Sequence, residues 1–330
     1  MKYLSPRFVL ILSSVLIWTT SAYAQSSAPA AGSYPVKPVR VLLGFAPGGA
    51  TDILARMLTQ KLTENVGRSF VVEHHAGAGG TLAYALVAKA VPDGYVLGGV
   101  SSGYSISPAV FAKLSYDPVK DLIPISLVSQ SPYLVVVHPS VPVHTVKALI
   151  ALAKAKPGML NAASAGVGST PHLALEYFKS VVGVNITHVP YKGTGQGLID
   201  LTAGHVHMLF GNVVSVSPHV KAGRLRALAI TAPKRASSLP QIPTFAEAGV
   251  PEYSMTTWFG MMAPGGTPPA IINMLHAEIV KVLKMREVLE RLENDGGEPV
   301  GSAPDVFMKQ IVAEIERWRK ITRDAGMKPE

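Results

Sequence analysis

The chain has 330 residues, 48% hydrophobic and 15% charged, which leaves room for two α/β lobes with large cores and excludes a disordered polymer. With no cysteine it can form no disulfide, carry no thiol nucleophile and build no zinc–thiolate site. The formal charge is +9, but the basic residues are scattered singly with no run of five, so the surface suits small anions rather than a nucleic-acid stripe.

Residues 1–24 carry the pattern of a secretory leader: Lys2 and Arg7, the apolar stretch Phe8–Trp18, then Ala22-Tyr23-Ala24. That apolar stretch is too short to remain as a membrane span, and no cysteine follows it for lipid attachment. Cleavage after Ala24 is expected, giving a periplasmic chain from Gln25 with 28 basic and 21 acidic residues, a charge of +7. Residues 25–38, rich in Ser, Ala, Gly and Pro, read as a loose arm.

Val39–Phe45 is a β-branched apolar run suited to a buried parallel strand. A helix follows, with Leu54, Met57, Leu58, Leu62 and Val66 on one face. The loop between them holds Gly48 and Gly49 and opens onto a helix N-terminus, where unpaired N–H groups favour an anion. Asp52 is the expected N-cap. A tight turn without a ligand is the alternative for this loop.

The strand–helix rhythm then repeats. Phe70–Val72 is a strand, His75–Gly80 a glycine loop, Thr81–Ala90 a helix and Tyr95–Val100 a strand. That strand ends in the polar loop Ser101–Ser105, where open α/β sheets bind ligands. The apolar runs Ile125–Val128 and Tyr133–Val137 flank Ser129–Pro132, which reads as a crossing into a second lobe. Thr145 caps a helix through Ala155. The strand Leu160–Ala163 feeds the loop Ser164–Thr170, and Pro171 starts a helix through Val182. Asn185–Pro190 feeds a third loop, Tyr191–Gly195. Strands follow at Val206–Phe210, ending in Gly211-Asn212, and at Leu225–Thr231. Residues 233–251 are irregular, and Thr257–Ala263 is the crossing back. Two helices close the chain, one carrying Ile271, Leu275 and Ile279, the other Phe307, Ile311, Ile315 and Trp318. This gives a first lobe over 39–131, a second over 132–255 and a return over 256–330. Polar glycine loops at strand ends in both lobes suit a ligand held in the cleft between them.

Other chemistries find weaker support. Gly99-Val100-Ser101-Ser102-Gly103 matches the nucleophile elbow of a secreted serine hydrolase, but the long helix that motif needs is interrupted by Pro108. His74-His75, and His205 with His207 spaced two apart on one strand face, lack partners at metal-binding spacing. Gly77-x-Gly79 and Gly166-x-Gly168 lack the third glycine of a dinucleotide loop. Neither a metal nor a cofactor is expected.

Several stretches together resemble one family. They are Phe45–Asp52, Ala76–Gly80, Ala88–Tyr95, Tyr116–Asp121, Ala163–Ser169, His188–Gly193, Lys221–Ala229 and Pro243–Gly249. In this order they are similar to the periplasmic substrate-binding receptors of tripartite tricarboxylate transporters, the Bug receptors. The resemblance implies a non-catalytic receptor with a two-lobed, type II-like periplasmic-binding fold, each lobe a mixed sheet flanked by helices. It implies a small organic anion as ligand, either a di- or tricarboxylate or an aromatic carboxylate. It also implies membrane permease subunits as partners, with no nucleic acid, and the chain itself as a monomer. The loop of Phe45, Ala46, Pro47, Gly48, Gly49 and Asp52 would hold the carboxylate through backbone groups and ordered water. Ser164, Gly166, Ser169, Thr170 and His172, with Tyr191, Lys192 and Gly193, would close over it from the second lobe. Ser101 and Asn212 would complete the site at strand ends. His74-His75-Ala76 departs from the asparagine–arginine–proline run common in the family.

Overall fold

The computed structural model describes residues 34–236, 238–294 and 296–324; the expected leader, and the expected arm up to residue 33, lie outside them. The first lobe opens with β1 (Val39–Leu43), α1 (Ala50–Val66), β2 (Phe70–His74), α2 (Thr81–Ala88), β3 (Val96–Ser101) and α3 (Gly103–Val110). β1 pairs in parallel with both β2 and β3. α1 stops where Gly67 turns left-handed at φ 71° and its N–H caps Thr63. α3 tolerates Pro108 rather than ending before it. At eight residues it is a short helix, packed by Ile106, Ala109 and Val110.

The crossing is part of one continuous strand rather than a separate segment between two apolar runs. β4 (Leu122–Val137) is 16 residues long and spans both lobes. Residues Leu122–Pro132 pair antiparallel with β9 (Thr256–Pro264), and Tyr133–Val137 pair with β7 (Met208–Asn212) and β8 (Arg226–Ile230). Ser129-Gln130-Ser131-Pro132 reads locally as a turn. It stays extended because β9, and β10 (Glu298–Pro299) at Gln130, supply its backbone partners.

Between the crossings lie α4 (Val146–Ala155), β5 (Asn161–Ser164), α5 (Thr170–Val182), β6 (Thr187–Pro190), α6 (Thr194–Thr202) and α7 (Val213–Lys221). Thr145 caps α4 by accepting from the Ala148 N–H at 3.1 Å. α8 (Pro269–Leu283), α9 (Arg286–Asn294) and α10 (Pro304–Asp324) follow β9. Strand order is β2-β1-β3-β9-β4-β7-β5-β6, a mixed sheet bent between two lobes.

Helices cover both faces. In the first lobe, α1 and α8 bury Leu54, Leu58, Leu275 and Ile279 against Val41 and Leu97. α2 and α10 bury Tyr84, Val87, Phe307 and Ile311 against Leu42 and Met262. In the second lobe Val135 and Val137 point to the α4–α5 side, while Leu134 and Val136 point to the α6–α7 side, the period of two that a strand requires. Each such fully buried aliphatic side chain contributes roughly 1.5–3 kcal/mol.

Candidate functional site

The ends of β1, β3, β5 and β7 face one cleft, and a helix starts just beyond each: α1, α3, α5 and α7. Ligands of α/β sheets bind at such carboxyl ends. Between the lobes lies a cavity of about 40 Å³ for the centres of water molecules. The first lobe lines it with Phe45, Ala46, Gly49, Thr51, Asp52 and Ser101. The second contributes Thr170, Thr194 and Asn212, and the crossing strands Ser131, Tyr133 and Thr257.

Three of these contributions are first turns of helices α1, α5 and α6, and Asn212 is the cap of α7. Each such end leaves N–H groups without helical partners and carries roughly half a positive charge. Among the described residues no lysine, arginine or histidine lines the cavity, and Asp52 is the single carboxylate that does. Burial pushes the Tyr133 phenol up to about 12, so it stays a neutral hydroxyl at any physiological pH. Asn212 is held at both ends: its Oδ1 accepts from the Val214 N–H at 2.9 Å and its Nδ2 donates to Ser131 Oγ at 2.6 Å.

Asp52 is not the N-cap of α1; Gly49 is. Asp52 sits in the first turn and reaches back past that cap, accepting from the Gly48 N–H at 3.0 Å. Its other oxygen accepts from Arg56 Nε at 2.8 Å and lies 3.1 Å from His74 Nε2. His74 Nδ1 in turn donates to the Phe45 carbonyl at 2.8 Å. The Gly48 N–H is therefore occupied, and the free N–H groups of this loop begin at Gly49. Gly48 adopts φ +88°, and a Cβ there would point at Gly195 Cα 3.5 Å away in the other lobe, not into the cavity.

The remaining expected residues frame the site. Pro47, Lys192 and Gly193 meet at a seam between the lobes, where the Lys192 carbonyl accepts from the Ala46 N–H at 2.9 Å. The Tyr191 hydroxyl turns away to donate to Asp200 Oδ2 at 2.5 Å. Ser164 Oγ sits 2.5 Å from His188 Nε2 and accepts from the Gly166 N–H at 3.0 Å, and Ser169 Oγ donates to the Gly166 carbonyl at 2.6 Å. His172 accepts from the Gly168 N–H at 3.3 Å and stacks on His188 at 4.1 Å. Burial brings both imidazoles down to about 4, so they are neutral struts of the loop.

Ser102 carries a role that sequence reasoning missed. It is 3% exposed and its Oγ joins Thr170 Oγ1 across the cleft at 2.9 Å and Thr257 Oγ1 at 2.6 Å. Ser131, Tyr133 and Thr257 were also missed as wall residues; they lie on strands that read as hinge and core. Ser101 reaches the cavity, but among the described residues no histidine lines it to act as a base. His205 and His207 do not share a strand: both precede β7, His205 beside Asp200 and His207 bonded to Asn161. Among the described residues no cluster of three His, Asp or Glu groups could hold a metal, and no helix is long and apolar enough to cross a membrane.

Comparison with known proteins places this architecture. Residues 54–327 match the model of the tripartite tricarboxylate transporter family receptor. The chain is 37% identical over 310 residues to protein BugT of Bordetella pertussis, covering 93% of this chain and 95% of that one. A solved R. palustris protein with adipate is 38% identical, with a TM-score of 0.87 and coverage of 90% of this chain and 100% of that one. MatC from Rhodopseudomonas palustris with bound malate is 34% identical, with a TM-score of 0.84 and coverage of 87% and 99%.

Proposed function

The chain belongs to the family of tripartite tricarboxylate transporter receptors, and from that premise we propose that it captures a small organic carboxylate in the interlobe cavity and delivers it to a membrane permease. The family makes it a periplasmic solute-binding protein and not an enzyme. The ligand class we infer is a di- or tricarboxylate, or an aromatic carboxylate. One observation carries this reading: four helix N-termini and a set of neutral hydroxyls converge on a cavity that no basic side chain lines. A carboxylate at one such terminus gains about 0.3–1 kcal/mol, and up to about 2 where partly buried. Adipate and malate in the two solved R. palustris proteins support the same class.

The wall we assign consists of Phe45, Ala46, Gly49, Asp52, Ser101, Thr170 and Asn212. Pro47, Gly48, Ser164, Gly166, Ser169, His172, Tyr191, Lys192 and Gly193 hold its shape. The lobes run over 39–131 with 256–330, and over 132–255, and they hinge where β4 changes partner after Pro132. The leader leaves after Ala24, giving a monomer without lipid.

A thermal-shift screen over mono-, di- and tricarboxylates, aromatic ones included, tests the reading. A true ligand at about a hundred times its Kd adds roughly 2.7 kcal/mol of stability, a shift of several degrees. If no acid in the screen moves the melting temperature, carboxylate capture is wrong. Solute uptake that survives deletion of the partner permease would remove the transport role.

A further inference from the structure

We propose that Gly195, with Gly193, is the mechanical stop that fixes how far the lobes close, and thereby the length of acid the cavity accepts; this rests on the interlobe carboxylate site above. A Cβ on Gly195 would lie 2.4 Å from the Pro47 carbonyl oxygen and 3.0 Å from the Gly48 carbonyl carbon. A Cβ on Gly193 would lie 2.9 Å from Ala46 N and 3.0 Å from Ala46 O. Both glycines belong to the second lobe and their nearest neighbours here are first-lobe backbone, joined at Gly193 by the Ala46 Cβ at 3.1 Å. Gly193 is extended, at φ 171°, and Gly195 lies inside α6, so neither position demands glycine for its own conformation. What demands it is the approach of the other lobe.

Backbone meeting backbone gives a hard limit, since no rotamer can move aside. The contact also makes a bond, the Ala46 N–H donating to the Lys192 carbonyl at 2.9 Å. A second bare contact stands elsewhere along the cleft: a Cβ on Gly79 would lie 2.6 Å from the Val167 carbonyl oxygen. The lobes thus close onto two glycine stops with the cavity of about 40 Å³ between them. Ordinary van der Waals contact begins at 3.4 Å, so one methyl group on Gly195 holds the seam open by about 1 Å. That methyl touches neither the cavity wall nor any core side chain, so it changes the cavity's height and not its chemistry.

Gly195→Ala is the test variant. Alanine favours a helix over glycine, so the free protein should melt no lower than wild type. Closure is read without any ligand through Gly49→Cys with Thr194→Cys, in a chain that has no other cysteine. A Cβ on Gly49 would lie 3.6 Å from the Thr194 Cβ, within disulfide range, and Gly49 has an ordinary φ of −87°. Under mild oxidation this pair should crosslink, and adding Gly195→Ala should slow crosslinking by about five-fold. Specificity is read separately by calorimetry on the cysteine-free chains with succinate, malate and adipate. Gly195→Ala should move the affinity ratio toward adipate by about ten-fold, the scale that one methylene commands. Unchanged crosslinking in the Gly195→Ala background overturns the stop, and so does an unchanged ratio among acids that bind. If wild type binds none of the three acids and the wider screen also fails, carboxylate capture falls while the crosslinking still decides the stop.

Discussion

Ser102 offers the sharpest test of how closure and binding are coupled. Its hydroxyl makes two bonds, one inside its own lobe to Thr257 at 2.6 Å and one across the cleft to Thr170 at 2.9 Å. Only the second should depend on closure. Ser102→Ala leaves the Thr257 hydroxyl, 4% exposed, without this partner, and the free protein should lose about 1–3 kcal/mol of stability. The crossing bond contributes on the order of 1 kcal/mol net, so ligand affinity should fall about five-fold. Thr170 also lines the cavity, so Thr170→Val alone mixes a lost bridge with a lost ligand contact. The double variant separates them. In a cycle of Ser102→Ala, Thr170→Val and both together, the coupling energy should be about 0.5–1.5 kcal/mol in calorimetric binding. It should be near zero in urea unfolding of the free protein, where the lobes stand apart. A binding coupling below about 0.3 kcal/mol, the scatter of additive sites, would mean that the bridge does not stabilise the bound form. Coupling found in urea unfolding of the free protein but absent from binding would mean that the bridge closes before the ligand arrives, refuting a population shift.

The buried phenols give an alkaline signature. Burial raises Tyr84 and Tyr133 to about 12 from an ordinary value near 10, so their contribution is complete below pH 10 and is lost as pH rises toward 12. Urea midpoints should be flat below that window and fall through it, with a shallower fall in Tyr133→Phe. The histidine pair gives the opposite signature. His172 and His188 sit near 4 against an ordinary 6.5, so the unfolded chain takes up protons first and stability should drop between pH 6.5 and 4. His188→Gln should flatten that slope, and a slope unchanged in His188→Gln would assign it to other groups. Gly48→Val forces a branched residue to φ +88°, at a cost of about 1–3 kcal/mol, and pushes toward Gly195. Both the melting temperature and ligand affinity should fall, and a wild-type melting temperature would disprove the strain.

Local patterns made much of the fold legible. The opening unit reads strand, glycine loop, helix, and α1 runs over Ala50–Val66 as its Leu54, Leu58 and Leu62 stripe requires. What the sequence hid was long-range. Ser129-Gln130-Ser131-Pro132 resembles a turn until β9 and β10 arrive from far along the chain to pair with it. α7 reads VVSVSPHVK, with poor helix propensity and an internal proline, and folds because Asn212 caps it and Val213 and Val216 are buried. α9 was readable: Val288 and Leu292 stand four apart among charges, the ordinary signature of a surface helix. At the site, glycine and hydroxyl loops marked where helices begin but not which side chains face inward. Ser164 and Ser169 bond within their own loop, whereas Ser131 and Tyr133 come from a strand that alternation alone would bury.

The absence of a basic side chain from the cavity wall follows from what an empty receptor must do. An arginine there would need a carboxylate partner or water whenever the cleft stood vacant, and burying it unpaired is costly. A pre-existing partner would then compete with the ligand. Asp52 illustrates the arrangement: its charge is answered by Arg56 from outside the wall, with Asp52 9% exposed and Arg56 56% exposed. Helix ends and hydroxyls have no such conflict, because water satisfies them while the lobes are apart. Their fields add only when α1 from one lobe meets α5, α6 and α7 from the other around a single small volume. Affinity is then a property of the closed form more than of either lobe. The glycine seam, which lies outside the cavity wall, and the Ser102–Thr170 bridge set its strength by holding that form closed.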